Sequence, residues 1–131
     1  MLMLKYSYTI LYVENVEETL AFYEKAFGFQ QKFITPEKDY GELDSGTTTL
    51  AFADYSIPEY NGVEINKHNK NLASPAFELT FVTENIETDY KNAVDAGAEI
   101  VKQPEAKPWG QTVGYLKDLN GFLVELCTPV G

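Results

Sequence analysis

Cysteine and histidine are nearly missing from this chain of 131 residues, which has one of each, Cys127 and His68. A single thiol excludes an internal disulfide framework, and with it a small secreted scaffold stapled by such bonds. Basic residues are scarce: 10 against 20 acidic ones leave a net charge of −10. A surface of that sign repels phosphate backbones and anionic headgroups, so neither nucleic acid nor a membrane is an expected partner. The same field favours a cationic ligand, although a merely solubilising acidic surface gives the same count. Long apolar runs are missing too, and no stretch nears the roughly 20 residues that span a bilayer. The start, Met1-Leu2-Met3-Leu4-Lys5, lacks the basic segment and extended apolar run of a signal peptide. The expected compartment is the cytoplasm.

What is present is a globular composition, 44% hydrophobic with regular glycine and proline punctuation, and a sequence that nearly says one thing twice. Val13-Glu14-Asn15-Val16-Glu17 opens one helical pattern, and Thr83-Glu84-Asn85-Ile86-Glu87 opens another 70 residues later. Each follows a short apolar strand and stops at a glycine, Gly28 or Gly97. Asn15 with Glu18 makes a capping-box-like start. Period-two and β-branched segments predict strands over 6–13, 29–35, 40–45 and 48–53 in the first half, and over 76–82, 98–102, 111–117 and 122–128 in the second. Residues 55–75 carry Pro58, Asn61 and Gly62 without periodicity and read as a linker; 103–110 read as a loop. The expected organisation is one domain of two modules, 5–54 and 76–128, each β-α-β-β-β, with a ligand site between similar halves.

Several of these segments together carry a family resemblance. Tyr12-Val13-Glu14-Asn15-Val16, Leu20-Ala21-Phe22-Tyr23, Phe27-Gly28-Phe29, Ala96-Gly97-Ala98, Lys107-Pro108-Trp109-Gly110-Gln111 and Asp118-Leu119-Asn120-Gly121 before Val124-Glu125-Leu126 occur in the order and spacing of the vicinal oxygen chelate superfamily. The chain resembles its glyoxalases, bleomycin-resistance proteins and extradiol dioxygenases over nearly its whole length. The resemblance implies an α+β fold of two βαβββ modules whose mixed sheets curl around a cleft, commonly as a homodimer. It also implies four chelating places, which here carry Tyr8, Ala51, Glu78 and Glu125. Glu78 depends on matching the helix starts through Asn15 and Asn85; matching Val13 to Val82 would put Phe77 there instead. Strand alternation favours Glu78, because the other choice presses a carboxylate beneath a helix.

None of the four places holds an imidazole. Ala51 cannot ligate, and neutral Tyr8 is a poor substitute at pH 7, so the metal chemistry of glyoxalase I is not expected. A divalent ion, were one held, would be a hard cation on Glu78 and Glu125 with Glu42 as a third oxygen donor. Without a metal, inward carboxylates repel one another and burial raises the pKa of at least one, a group then expected to act as general base or to bind a cation, or to be held simply by the Tyr8 or Tyr12 hydroxyl. Alternation places Tyr40 and Glu42 opposite Leu43, facing either the cleft or solvent. Trp109 is either a ligand wall or loop packing. Tyr115 and Gln111 share parity along one strand. His68, in a polar segment, is expected in solvent, and Cys127 as a buried small hydrophobe.

Two readings follow. One is a small-molecule-binding protein with no cofactor, its walls from Tyr8, Tyr12, Tyr40, Trp109, Gln111 and Tyr115 and its acidic groups, Glu42 included, drawing a cationic ligand. The other is a lyase or dioxygenase-like enzyme using Glu78 or Glu125 as base or as oxygen ligands to a divalent metal.

Overall fold

The computed structural model describes residues 2–130. Its elements run β1 (Tyr8–Val13), α1 (Val16–Phe27), β2 (Gln31–Ile34), β3 (Tyr40–Leu43), β4 (Thr49–Asp54), α2 (Ser56–Tyr60), β5 (Glu78–Val82), α3 (Ile86–Asp95), β6 (Glu99–Ala106), β7 (Thr112–Lys117) and β8 (Leu123–Cys127). The fold is α+β: two βαβββ modules, each with an open four-stranded mixed sheet. Their strand orders correspond, β1-β4-β3-β2 and β5-β8-β7-β6, with one parallel pair in each, β1 with β4 and β5 with β8. The chain forms two compact units, one of residues up to Glu24 with Gly28–Lys67, the other of Lys25–Phe27 with residues from His68 onward. Among the described residues no helix is long and apolar enough to cross a membrane.

In the first unit α1 starts where Asn15 accepts a 2.9 Å hydrogen bond from the Glu18 backbone N–H, and it ends at left-handed Gly28. Its apolar side, Val16, Leu20 and Tyr23, is buried with Leu11, Val13, Leu43, Leu50 and Phe52. The Tyr23 and Phe52 rings meet at 4.9 Å. A one-residue slip of β1 or β4 would turn these residues to the other face, at about 2 kcal/mol for each large side chain, so the register is fixed.

The second unit repeats the plan with different fastenings. Ile86, Tyr90 and Ala93 of α3 are buried with Leu116, Val124 and Leu126, and the Tyr90 hydroxyl lies 3.0 Å from both the Lys102 and Tyr115 carbonyls. The last turn of α1 belongs to this unit: Phe27 packs edge-on against Phe81 at 5.2 Å, and the Asn92 amide donates to the Lys25 and Ala26 carbonyls. Asn85 makes no side-chain cap. Thr83 takes over the N-terminus, accepting from the Asn85 N–H and donating to Asp89.

Three sequence expectations need correction. The segment 55–75 is not featureless, since α2 lies within it, its start held by Asp54 accepting from the Ser56 N–H. Five residues make little more than one turn, too short for a visible period, and Pro58 is tolerated in a first turn, whose N–H groups lack intrahelical partners. The strand predicted over 98–102 continues as β6 to Ala106, through Pro104. Its pairing with β7 is irregular between Lys102 and Glu105, and an edge strand with a bulge accommodates a proline. His68 is not free in solvent: its ring stacks on Phe122 at 5.7 Å, and Nε2 lies 3.1 Å from the Gly121 carbonyl, which it can approach only as an N–H donor.

The two helix starts differ in a testable way. Asn15→Ala removes a working cap and is expected to cost about 1 kcal/mol, whereas Asn85→Ala should stay within about 0.5 kcal/mol of the parent. Equilibrium urea unfolding of the two variants checks the difference.

Candidate functional site

Each helix covers one face of its sheet, and period-two alternation sends the remaining strand residues to the open face. On the second sheet that face carries Glu78, Thr80 and Val82 from β5, Leu123, Glu125 and Cys127 from β8, and Val113, Tyr115 and Lys117 from β7. Thr80, Glu125 and Tyr115 stand side by side across three strands. Glu78 lies two residues before Thr80 on β5 and accepts a 2.6 Å hydrogen bond from the Thr80 hydroxyl.

Glu125 is the centre of this group. Burial pushes its carboxyl above the ordinary value of 4.5, and a hydrogen bond with Glu78 together with that residue's charge pushes the same way. Hydrogen bonds from the Tyr115 hydroxyl and the Cys127 thiol, which favour the ionised form, pull it partly back. The donors respond in kind: burial and then Glu125 raise the Tyr115 phenol and the Cys127 thiol, so both keep their protons. The arrangement can share one proton between two carboxyls and offer acceptor oxygens to a donor-bearing ligand.

The open face of the first sheet has another composition. Ile10, Ala51, Glu42 and Phe33 stand side by side across its four strands, and Tyr12, Ala53 and Tyr40 form the neighbouring row. Glu42 is 7% exposed and accepts a 2.7 Å hydrogen bond from the Tyr40 hydroxyl. Burial first, then Glu42 and more weakly Tyr8, raise the Tyr40 phenol, which stays a donor. Alternation had left Glu42 between interior and solvent; it is buried.

Trp109 and Gln111 lie elsewhere, at the entrance to β7. The exposed Trp109 indole donates to Gln111 at 2.7 Å, and the Gln111 amide donates to the Thr128 carbonyl at 2.7 Å, tying the loop to the end of β8. Gln111 and Tyr115 share parity but not a neighbourhood of contacts. Sequence reasoning passed over Thr80 and gave Cys127 only a packing role; both stand two residues from a predicted carboxylate, the spacing that puts them on its face. A groove of about 470 Å³ between α3 and β6, lined by Tyr90, Val94, Ile100 and Pro104 among others, includes none of the predicted site residues.

The four chelating places can be tested as a donor set. Tyr8, Ala51, Glu78 and Glu125 supply a phenol, a methyl and two carboxyls, which do not make the tetradentate site the resemblance implies. Among the described residues no group of three or more His, Cys, Asp or Glu side chains is placed to hold a metal. Tyr115→Phe is expected to move the Glu125 titration further upward, because it deletes a hydrogen bond to the ionised form. A carboxyl carbon-13 NMR titration reads the shift, and a downward move would contradict the arrangement.

No curated protein matches this sequence. Solved structures match it in fold over almost their whole lengths. A glyoxalase/bleomycin resistance protein/dioxygenase family enzyme from Burkholderia phytofirmans PsJN has 21% identity and a TM-score of 0.81, over 95% of this chain and 98% of that one. A glyoxalase-related enzyme from Fulvimarina pelagi has 19% identity and a TM-score of 0.81, over 97% and 92%. TioX from Micromonospora sp. ML1 has 18% identity and a TM-score of 0.73, over 95% and 98%. The family model described as Glyoxalase/Bleomycin resistance protein/Dioxygenase superfamily matches residues 5–126, and the chain therefore belongs to that superfamily.

Proposed function

We propose that the chain binds a small organic molecule on the open face of its second sheet, with the Glu125 and Glu78 carboxyls as the polar centre. The observation that carries the reading is their placement: Glu125 stands in register between Thr80 and Tyr115 on the open face with Glu78 on the same face of β5, and burial and then Glu78 raise the Glu125 carboxyl. A ligand that brings hydrogen-bond donors, and above all positive charge, relieves the repulsion between the acids and strengthens both contacts. The net charge of −10 draws such a ligand to the surface. Nothing in this reading requires a metal, and the donor set argues for recognition by oxygen acceptors.

One observation favours a second reading, in which Glu125 acts as a general base. Its raised carboxyl is a better proton acceptor than an ordinary one, and Glu78 beside it can share the proton taken up. In this reading the substrate gives up a proton from a site near Glu125, and Tyr115 and Cys127 position the carboxylate.

A thermal-shift and calorimetric screen of small organic cations and neutral analogues, on protein purified without chelators, separates these outcomes. Binding should be salt-sensitive, and Glu125→Gln should weaken it by at least about tenfold, or about 1.4 kcal/mol. Unchanged affinity in that variant would sink the assignment to this face. For any compound that is turned over, the base reading expects Glu125→Gln to lower kcat by roughly 10²–10⁴ with a smaller effect on KM.

The raised carboxyl also sets a stability signature. With its folded-state value above 4.5, the folded chain holds more protons than the unfolded chain in the window just above that value. Stability contributed by this group is therefore present at lower pH and lost as pH rises through the window. Glu125→Gln cannot ionise, so its stability relative to the parent should improve between about pH 4 and about pH 8, as urea unfolding at the two pH values would show.

A further inference from the structure

Two asparagines of this chain precede a glycine, Asn61 and Asn120. An asparagine in that position sets its side-chain carbonyl next to a poorly shielded backbone nitrogen, because glycine has no side chain to cover it. The residues around the two pairs are alike, Tyr60 and Val63 about one, Leu119 and Phe122 about the other. The fold treats them differently.

Asn120 and Gly121 are buried in the turn between β7 and β8. The Asn120 and Phe122 N–H groups both donate to the Asp118 carboxylate at 2.9 Å, and the Gly121 N–H donates to the Asp118 carbonyl at 3.1 Å. Backbone from a distant segment lies directly against the turn. A β-carbon on Gly121 would come within 2.7 Å of the Asn69 carbonyl oxygen and the Lys70 α-carbon, and the His68 Nε2 lies 3.1 Å from the Gly121 carbonyl. Rearranging this pair means opening a packed turn.

Asn61 and Gly62 are exposed at the end of α2. A β-carbon on Gly62 would meet nothing within 4 Å, and the Asn61 side-chain amide has no hydrogen-bond partner among the described residues. The end of α2 is closed by the Asn61 N–H to the Ile57 carbonyl and the Gly62 N–H to the Glu59 carbonyl, both at 3.1 Å, and by the Val63 N–H to the Pro58 carbonyl at 2.9 Å. A helix of five residues has little cooperative length, so its last turn opens at small cost and frees the Gly62 nitrogen.

We infer that Asn61 is a site of spontaneous deamidation, and that the fold withholds the same reaction from Asn120. The Gly62 backbone nitrogen attacks Cγ of Asn61. The new N–Cγ bond forms, the bond from Cγ to Nδ2 breaks, and Nδ2 leaves as ammonia, taking up the proton that the Gly62 nitrogen gives up. Water then opens the resulting cyclic imide at either carbonyl, which yields aspartate, or isoaspartate with the main chain running through Cγ. Both products exchange a neutral amide for a carboxylate and add a negative charge to the −10 of the chain. Isoaspartate also lengthens the main chain where Gly62 and Val63 donate back to α2, and so loosens the end of that helix. The site involves neither open face and stands independently of the function proposed for Glu125.

The test incubates the whole chain at mildly alkaline pH, folded and in parallel unfolded in guanidinium chloride, and follows both asparagines by peptide mapping with mass detection. In the folded chain Asn61 should convert at least about tenfold faster than Asn120, and unfolding should bring the two rates within about threefold. Conversion of Asn61 should quicken as pH rises, because the attacking nitrogen must lose its proton. Asn61→Gln, whose longer side chain closes a less favourable ring, should abolish the faster acidic product and leave the slower one. Equal rates in the folded chain, a faster Asn120, or an unconverted Asn61 while the unfolded chain reacts at both positions overturns the proposal.

Discussion

The constraint on which the structure depends is that each helix claims one face of a four-stranded sheet and must come close to do so. Both modules meet it with the same device on the third strand of the repeat. A β-carbon on Gly41 would come within 2.5 Å of the buried Leu20 side chain, and one on Gly114 within 2.9 Å of the Tyr90 ring. These glycines occupy matching places, opposite Phe52 and Leu126 in their ladders. The Tyr90 ring has little room to yield, because its hydroxyl is held against the Lys102 and Tyr115 carbonyls. Close helix approach buries the apolar half of β1, β4, β7 and β8, and alternation then decides what the open face displays.

What the open faces display differs in an orderly way. In the first module the third strand carries the acid, Glu42, and the last strand an alanine, Ala51; in the second the third strand carries a phenol, Tyr115, and the last strand the acid, Glu125. Each face thus has one shielded carboxylate held by a tyrosine hydroxyl, with the bearers exchanged between strands. The surroundings separate their chemistry. Glu42 accepts from the Tyr40 hydroxyl, whereas burial and then the neighbouring Glu78 make the Glu125 proton harder to remove.

Much of this was legible because it rests on local or periodic signals. The repeat around Asn15 and Asn85, the alternation of β1, β5 and β8, and the glycine stop after α1 follow from one strand or one helix at a time. The choice of Glu78 over Phe77 also came from parity; in the sheet Glu78 pairs with Leu123, two residues before Glu125. What escaped depends on partners distant in sequence. His68 reads as a polar loop residue until the Gly121 carbonyl and the Phe122 ring, more than fifty positions on, close around it. Asn85 looks like the twin of Asn15 but makes no side-chain cap, and its own N–H donates to Thr83, which in turn donates to Asp89, a local choice among hydroxyl and amide groups that sequence spacing does not rank. Cys127 seemed to need only its size; its position two residues after Glu125 makes it a donor as well.

Tyrosine hydroxyls beside the acids of both faces have a physical consequence. A divalent metal stabilises neighbouring carboxylates in their ionised form, and removing its ligands leaves acids that must be neutralised by protons, by hydrogen bonds or by bound cations. A phenol suits this task where a lysine does not: it donates without carrying charge of its own, so it steadies the carboxylate without cancelling its field. Tyr40 and Tyr115 both keep their protons under pressure from burial and from the acids beside them. The hydroxyl that donates to each acid therefore leaves the acid's charge uncancelled.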